Sequence, residues 1–401
     1  MSILPFPWPE TEGTGVDFVL PEELDDLRGV MRGFVSRELV PLERHIARDW
    51  DWEIPRDVQQ DLDSKARDLG LASLSVPLEL GGAGLGFLGL VVVKEELGRT
   101  VVPWLLPGEP SVSLYSCTAE QRDRYLVPVI RGEKFMAFAQ TEPDAGSDPA
   151  GMRTVAVKDG DGWVINGQKR FITAAHRADF LQVIAVTDTH KRQHGGMTCF
   201  LVDAETPGYE IVGRDRIMGR EAPCELRFDN CRVHDNQVLG EVGGGFALAQ
   251  SWLAAHDRLD QGPYAVGRSE RALEMATEYA KSRVTFGEPL ADRQAIQTML
   301  ADSFLEIHQC RLMVYHAAAQ ADRHQDIRVA ASMIRLFATE MQSRVIDRAI
   351  QIHGGVGLSE ELPLASLYQY IRSLRITGGT SEIQRFIIAR HVIRSTARSV
   401  Y

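Results

Sequence analysis

The sequence predicts an α+β fold, with a helical N-terminal domain, a middle antiparallel β-domain and a C-terminal four-helix bundle. Apolar residues recur at helical spacing up to about residue 132 and again after residue 243, whereas the period falls to about 2 in between. The chain has 401 residues, 44% of them hydrophobic and 25% charged, which is enough for two or three domains with large cores. We therefore expect domains over residues 1–134, 135–242 and 243–401.

We predict three helices in the first domain. The first begins after Pro21, with acidic residues in its first turn, the second covers residues 58–69 and the third covers residues 88–97. Gly70 and Gly98 stop the last two. The glycine-rich residues 77–86 lack both the GxGxxG spacing and the P-loop lysine, so we interpret them as a loop.

We predict that the middle domain consists of short β segments separated by turns. These segments cover residues 135–139, 180–186, 198–202, 209–212 and 225–233. Asn166-Gly167 lies between two further β-rich runs and predicts a hairpin turn there. Such spacing is typical of a small antiparallel barrel or sandwich.

We predict that the last domain consists mainly of long helices. One runs from residue 246 to about 281, with a bend expected at Gly262-Pro263. Further helices are expected over residues 299–323, 327–353, 366–375 and 381–393. Together they complete a helical bundle.

Composition limits the classes of partner and compartment. A net charge of -11 argues against nucleic acid as a main partner. The five cysteines show no CxxC spacing, which favours reduced thiols over disulfides or a metal site. Residues 1–15 carry no signal- or transit-peptide pattern, and no apolar run approaches the length of a membrane span. We expect a cytoplasmic protein, unless a presequence has been removed.

A sharp acidic turn, FAQTEPDAGSD at residues 138–148, follows the first β segment. Pro143 fixes its own φ and Gly146 permits a positive φ, so the backbone must turn here. Backbone N–H groups exposed by such a turn, together with the hydroxyls of Thr141 and Ser147, can hold an electron-rich ring edge or a phosphate. The alternative is an ordinary acidic surface turn.

Five motifs in this order resemble the acyl-CoA dehydrogenase family, from about residue 21 to residue 392. They are residues 138–148, residues 168–173, RVTF at 283–286 with Gln294, QIHGGVG at 351–357, and GGTSEIQR at 378–385. The resemblance implies a homotetramer with one FAD per subunit. It also implies α,β-dehydrogenation of an acyl-CoA thioester and electron delivery to an electron-transferring flavoprotein.

The resemblance assigns cofactor contacts within the subunit to the middle domain. The backbone near Gln140 and the Thr141 hydroxyl would bond the flavin pyrimidine edge and N5. Phe171 would lie against the isoalloxazine, with Thr173 at N5. Ser147 would lie near the flavin phosphates or the CoA arm. The implied contacts of this group are Phe138, Gln140, Thr141, Gly146, Ser147, Phe171 and Thr173.

A second group of cofactor contacts is implied in the C-terminal domain. Arg283, Phe286 and Gln294 match positions that reach the FAD of a neighbouring subunit, with Phe286 able to stack on adenine. We interpret Arg283 and Phe286 as lying on a helix end. The other implied contacts are Gln351, Gly354 and Gly355 along the pyrophosphate, and Thr380 and Glu382 on the adenosine side.

The catalytic base departs from the straight-chain pattern. Those members carry Glu in a Tyr-Glu-Gly-Thr turn, where this sequence has Gly378. Isovaleryl-CoA and long-chain members instead supply Glu from the first bundle helix, immediately before an Arg that binds CoA. Here that pair is Asp257-Arg258, with the register fixed by Gly267 nine residues after Arg258. The resemblance therefore implies Asp257 as the base, with a solvated helix acid as the alternative interpretation of this residue and His256 as a further candidate.

The substrate contacts follow from the same comparison. Arg258 and Ser147 would bind the CoA moiety, and Gly378 would leave room beside a branched or bulky acyl group. Two other functions stay open at this point. One is a flavin oxidase or monooxygenase of the same fold, although the nitroalkane oxidase branch has its Asp at the Gly378 position. The other is a catalytically silent subunit that binds FAD or acyl-CoA in a heteromeric complex.

Overall fold

The computed structural model describes residues 20–46, 48–219 and 221–395, without the side chains of residues 255–257. Its N-terminal part is helical, as predicted. The helices are α1 (Glu22–Phe34), α2 (Glu43–Ile46), α3 (Arg56–Asp68), α4 (Gly86–Leu97), α5 (Ala119–Gln121) and α6 (Val127–Ile130). α1, α3 and α4 bury Phe34, Leu62 and Leu97 in one core around Trp104. Between α3 and α4, the glycine-rich residues form a short 3₁₀ helix, Leu78–Leu80, and a loop that leads into α4.

α4 is the helix through which the N-terminal part meets the C-terminal bundle. It is buried almost along its whole length, including the charged Lys94 and Glu96. The Lys94 ammonium pairs with the Asp260 carboxylate of the bundle at 2.6 Å, and Glu96 pairs with Arg32 of α1 at 2.7 Å. Pairing of this kind is what makes buried charge tolerable.

The middle domain is one mostly antiparallel sheet. Its strands are β1 (Met136–Ala139), β2 (Val155–Asp159), β3 (Gly162–Ile172), β4 (Phe180–Val186), β5 (Met197–Asp203), β6 (Tyr209–Arg214), β7 (Cys224–His234) and β8 (Val238–Leu239). They lie in the order β6-β7-β3-β2-β4-β5-β8, with β1 beside β4. The β1–β4 and β2–β4 contacts are parallel, and the remaining pairings are antiparallel.

The hairpin turn predicted at Asn166-Gly167 is wrong. β3 runs through both residues, with a register shift against β7 between Ile165 and Gly167. The Asn166 side-chain oxygen accepts a hydrogen bond from the Asn230 N–H at 2.8 Å, and a methyl group on Gly167 would overlap Thr154. The glycine therefore permits close backbone approach at a bulge, and the true turn joins β2 to β3 at residues 160–161.

The C-terminal domain is a helical bundle. Its helices are α7 (Gly245–Trp252), α8 (Gln261–Ser282), α9 (Gln294–Asp322), α10 (Arg328–His353), α11 (Leu364–Leu374) and α12 (Ser381–Arg394). Between α7 and α8 the chain continues as a π-helical segment, Leu253–Leu259, so the irregularity precedes the predicted bend at Gly262-Pro263. A short hairpin of β9 (Val284–Thr285) and β10 (Glu288–Pro289) separates α8 from α9. No helix in the described ranges is both long and apolar enough to cross a membrane.

Candidate functional site

The chain turns sharply after β1, as expected, but Gly146 is not among the glycines with a positive φ. The backbones of Glu142 and Ala145 bond each other in both directions, at 3.1 and 3.2 Å, and close the chain over Pro143-Asp144. Gly146 and Ser147 follow on the surface, and nothing lies within 4 Å of the position that a Gly146 Cβ would occupy. The outer side of the turn is therefore open to a ligand.

A buried ion pair anchors the inner side of the same turn. The Glu142 carboxylate accepts hydrogen bonds from the N–H groups of Arg153 at 2.6 Å and Thr154 at 3.0 Å. It also accepts one from the Lys169 ammonium on β3, at 2.8 Å. Burial itself raises the Glu142 pKa, but Lys169 and these backbone donors outweigh it and hold that pKa below its ordinary value. Lys169 and Glu142 were not predicted as site residues, because their alignment depends on the bulge in β3.

The end of β3 presents two of the predicted flavin contacts to the outside. Phe171 has a φ of +59° and is 49% exposed, which is unusual for a bulky side chain. Thr173 is also exposed. The Arg170 N–H, next to Phe171, donates to the Thr141 carbonyl at 2.9 Å. Phe171 and Thr173 thus follow the part of β3 that is bonded to the acidic turn.

Phe138, the first residue of the motif, packs against the bundle. Its ring stacks on Trp252 at the end of α7, with centroids 4.2 Å apart and planes inclined by 19°. Trp252 was missed by the sequence reasoning, because nothing in its local pattern distinguishes it from a core aromatic. This contact holds the β1 end of the turn against the helix that leads into the π-helical segment.

The turn at residues 376–380 is fixed from behind by two buried side chains. Arg335 of α10 donates to the carbonyl oxygens of Leu374, at 3.0 Å, and Thr377. Gln384 of α12 donates to the carbonyl oxygen of Gly379 at 2.9 Å. Gly378 and Gly379 have φ values of +66° and +97°, a conformation that glycine adopts without strain.

The neighbouring start of α12 contains the last two predicted cofactor contacts. The Thr380 hydroxyl accepts the Ile383 N–H at 3.3 Å and caps the helix. Glu382 is exposed in its first turn. Its own backbone N–H and the Thr380 hydroxyl lower the pKa of the Glu382 carboxyl, so this residue is anionic at neutral pH.

Phe286 lies at the tip of the β9–β10 hairpin and not on a helix end, which corrects the sequence-based interpretation. Thr285 pairs with Glu288, so Phe286 and Gly287 form a two-residue loop. Their φ values are +52° and +83°, as a type I′ turn requires. The Phe286 side chain is 99% exposed, and Arg283 before the hairpin and Gln294 after it are exposed as well.

The end of α10 is equally open. Gln351 is exposed, Gly354 has a φ of +61°, and nothing lies within 4 Å of the position that a Cβ would occupy at Gly354 or Gly355. In the described ranges, neither this end nor the hairpin forms a hydrogen bond or ion pair with residues 138–148. Within the described part of one subunit, these residues and the acidic turn are therefore not linked by direct polar contacts.

The predicted base and its neighbour lie in the π-helical segment. Arg258 is buried. The side chain of Asp257 lies outside the described residues, so its position against the turn at Gly378 stays a prediction. Asp260, next in this region, is buried and paired with Lys94.

These observations fit a bound FAD. The Gln140 side-chain oxygen is buried, and among the described residues it has no hydrogen-bond partner. Phe171 and Phe286 expose aromatic surface in left-handed conformations, and the backbone is open at Gly146, Gly354 and Gly355. Buried acceptors without partners and strained, exposed aromatics are features of ligand sites.

Three comparisons with known proteins point to one family. The family models for the acyl-CoA dehydrogenase N-terminal, middle and C-terminal domains match residues 21–133, 137–231 and 243–393. The (R)-benzylsuccinyl-CoA dehydrogenase of Thauera aromatica is 37% identical over 395 residues, with 94% of this chain and 97% of that protein covered.

Solved structures agree. Butyryl-CoA dehydrogenase from Megasphaera elsdenii superimposes with a TM-score of 0.86 at 33% identity, covering 94% of this chain and all of that one. A structure of PigA with FAD and proline gives a TM-score of 0.85 at 28% identity, covering 94% and 99%. The three-part fold, the open turn after β1 and these matches together show that the chain belongs to the acyl-CoA dehydrogenase family and is an FAD-dependent acyl-CoA dehydrogenase.

Proposed function

We propose that this enzyme introduces a double bond between the α- and β-carbons of a branched or bulky acyl-CoA. The observation that carries the proposal is Gly378, which provides no side chain where straight-chain members have their glutamate. Arg335 and Gln384 donate hydrogen bonds to carbonyl groups of the surrounding turn. The backbone that borders the space beside Gly378 is therefore fixed. The relative from Thauera aromatica, named for a benzyl-substituted succinyl group, supports this size class.

In this proposal Asp257 takes the α-proton while FAD, when bound, accepts the β-hydride. Asp is one methylene shorter than Glu, so its backbone must lie closer to the α-carbon. The π-helical segment Leu253–Leu259 gives this position a backbone path that a regular helix would not have. In the same proposal Arg258, the next residue in the chain, binds the CoA moiety, and Ser147 contacts the CoA arm from the acidic turn.

The flavin is proposed to bind against residues 138–148 and the end of β3. Donors from the Gln140–Thr141 backbone and the hydroxyls of Thr141 and Thr173 would meet its polar edge. Phe171 would cover one of its faces. Hydrogen-bond donors at that edge favour electron uptake by the ring, since they stabilise the negative charge that develops there.

We propose that the active unit is a homotetramer that passes electrons to an electron-transferring flavoprotein in the cytoplasm. Arg283, Phe286 and Gln294 would contact the FAD of a neighbouring subunit, together with Gln351, Gly354 and Gly355. Large apolar side chains exposed on the bundle support such assembly. They include Phe304, Leu305, Leu312, Met333, Val356, Leu358, Tyr368, Phe386 and Ile393.

The test is an anaerobic titration of the purified protein with straight, branched and aromatic acyl-CoAs, following the loss of flavin absorbance. We expect branched or aromatic thioesters to bleach the flavin and to yield the enoyl-CoA. A preference for straight chains would overturn the substrate class. A bound flavin that no thioester reduces would favour the silent subunit or an oxidase of the same fold.

The base is tested by Asp257→Asn with Asp257→Glu as its matched control. Loss of a general base lowers the rate of reduction by about 10²- to 10⁴-fold. We therefore expect Asp257→Asn to retain FAD and acyl-CoA binding but to be reduced that much more slowly, whereas Asp257→Glu retains most of the rate. An unchanged rate in Asp257→Asn would show that another group takes the proton.

A further inference from the structure

Lys169 is a fully buried cation directly behind the proposed flavin-binding turn. Its ammonium donates to the Gln140 carbonyl oxygen at 2.9 Å and to the Glu142 carboxylate at 2.8 Å. The Met152 sulfur lies 3.4 Å away and completes its surroundings. Burying a lysine is costly unless its charge has a specific task or partner. Glu142 is the partner, but the bond to the Gln140 carbonyl is not needed to neutralise the charge.

The peptide between Gln140 and Thr141 carries the effect of this bond outward. In a trans peptide the C=O and the N–H point in opposite directions. The Gln140 carbonyl points inward to Lys169, so the Thr141 N–H points away from Lys169. Among the described residues no acceptor is bonded to this N–H.

The next peptide is held in the same way. The Thr141 carbonyl accepts the Arg170 N–H at 2.9 Å, which fixes the orientation of both peptides against β3. An ammonium bonded to a carbonyl draws electron density through the peptide, and hydrogen bonds in such a chain strengthen one another. The Thr141 N–H is therefore a stronger donor than an ordinary amide.

We propose that Lys169 is a positioning residue that strengthens the hydrogen bond from the Thr141 N–H to the flavin and so raises the reduction potential of bound FAD. The inference rests on the proposed placement of the flavin at this turn. Reduced flavin carries more negative charge at its polar edge, so a stronger donor there favours the reduced form. Lys169 itself does not touch the cofactor.

The test measures the midpoint potential of the bound flavin with redox dyes and without substrate. Removing the ammonium in Lys169→Met is expected to lower the equilibrium constant for two-electron reduction about tenfold, which corresponds to about 30 mV. Lys158→Met is the matched control. Lys158 is an exposed lysine of the same sheet, paired with Asp235 on its surface, and its loss should leave the potential unchanged.

A double variant separates the peptide effect from the charge left on Glu142. In Glu142→Gln/Lys169→Met both charges are gone, and we expect the potential to stay low. A return to the wild-type value would show that an unpaired carboxylate caused the shift, and would overturn the proposal. So would a potential in Lys169→Met equal to that of Lys158→Met.

Wild-type protein gives a second measurement in case these variants lose FAD. Burial lowers the Lys169 pKa to about 8, against the opposing effect of Glu142, the charged group that faces it. The ammonium is therefore lost within the range in which the holoenzyme can be titrated. We expect the potential of bound flavin to fall more steeply above pH 8 than below it, and a straight line across pH 7–9 would overturn the inference. Because acyl-CoA is absent, this result is independent of the substrate titration.

Discussion

Replacing Phe286 with asparagine should stabilise the fold while weakening cofactor binding. The two effects are expected to have opposite signs because Phe286 strains the backbone without packing against its own subunit. Its φ is +52°, and its side chain is 99% exposed there. A left-handed conformation costs a non-glycine residue about 1–3 kcal/mol, and Asn-Gly is the sequence that a type I′ turn prefers. Since almost no burial is lost, we expect the free energy of unfolding of the apo-subunit to rise by about 1 kcal/mol.

The loss in binding comes from the surface that the ring offers to a partner. Burying a whole Phe side chain is worth about 1.5–3 kcal/mol, and each 1.4 kcal/mol is a factor of ten in affinity. The FAD dissociation constant should therefore rise about 10- to 100-fold in Phe286→Asn.

Urea unfolding of the apo-protein and a fluorescence titration with FAD measure the two effects. Val157→Asn serves as the control, because Val157 is another exposed apolar side chain, on β2, outside the proposed cofactor site. Unchanged FAD affinity in Phe286→Asn would refute the proposed stacking. A less stable apo-protein would refute the argument from backbone strain.

Three further outcomes test the packing, the buried charge and the acyl site. A methyl group at Gly267 would overlap the Glu95 carbonyl oxygen where α8 crosses α4, so Gly267→Ala should lower the free energy of unfolding by about 1–3 kcal/mol in urea. Gly29→Ala, in α1 with nothing within 4 Å, should raise it by about 0.5–1 kcal/mol. The folded-state pKa of Lys169 is about 8 against an ordinary 10.5, so the unfolded state binds more protons between these values. The free energy of unfolding of the wild-type protein, measured by urea denaturation, should therefore rise from pH 7.5 to pH 10 relative to that of Lys169→Met. Gly378→Ala should lower kcat/KM for branched substrates at least about tenfold relative to straight ones, and equal losses would argue against the proposed acyl pocket.

Elements marked by local runs of apolar residues and clear stop signals were predicted closely from the sequence. The segment expected over residues 180–186 is β4, Phe180–Val186, and the helix expected over residues 327–353 is α10, Arg328–His353. β4 is a mostly apolar run that is buried at every residue, and α10 ends at a Gly-Gly pair. α9 begins at Gln294, five residues before the predicted start, because the apolar pattern is weak in its first turn.

Features that depend on distant contacts could not be predicted in this way. Asn166-Gly167 has the composition of a hairpin turn, yet its glycine lies at a bulge, where the missing side chain lets Thr154 approach closely. The hairpin at Phe286 was missed because phenylalanine rarely adopts a positive φ, so its sequence gives no turn signal. Lys169 looks like an ordinary polar residue of a β-strand, and only the fold shows that it is buried against Glu142.

The π-helical segment Leu253–Leu259 has a consequence for how sequences of this region are compared. A π-helical turn accommodates one more residue than an α-helical turn, so it behaves as a one-residue insertion within a continuous helix. Deleting one residue there would restore regular geometry and leave α7 and α8 nearly in phase, because the wider turn absorbs the extra residue. The stack of Phe138 on Trp252 would then be kept, but the backbone at residues 253–259 would follow a different path. Length in this segment is therefore as restrictive as residue identity, and a homologue one residue shorter here should be expected to place its acid–arginine pair differently.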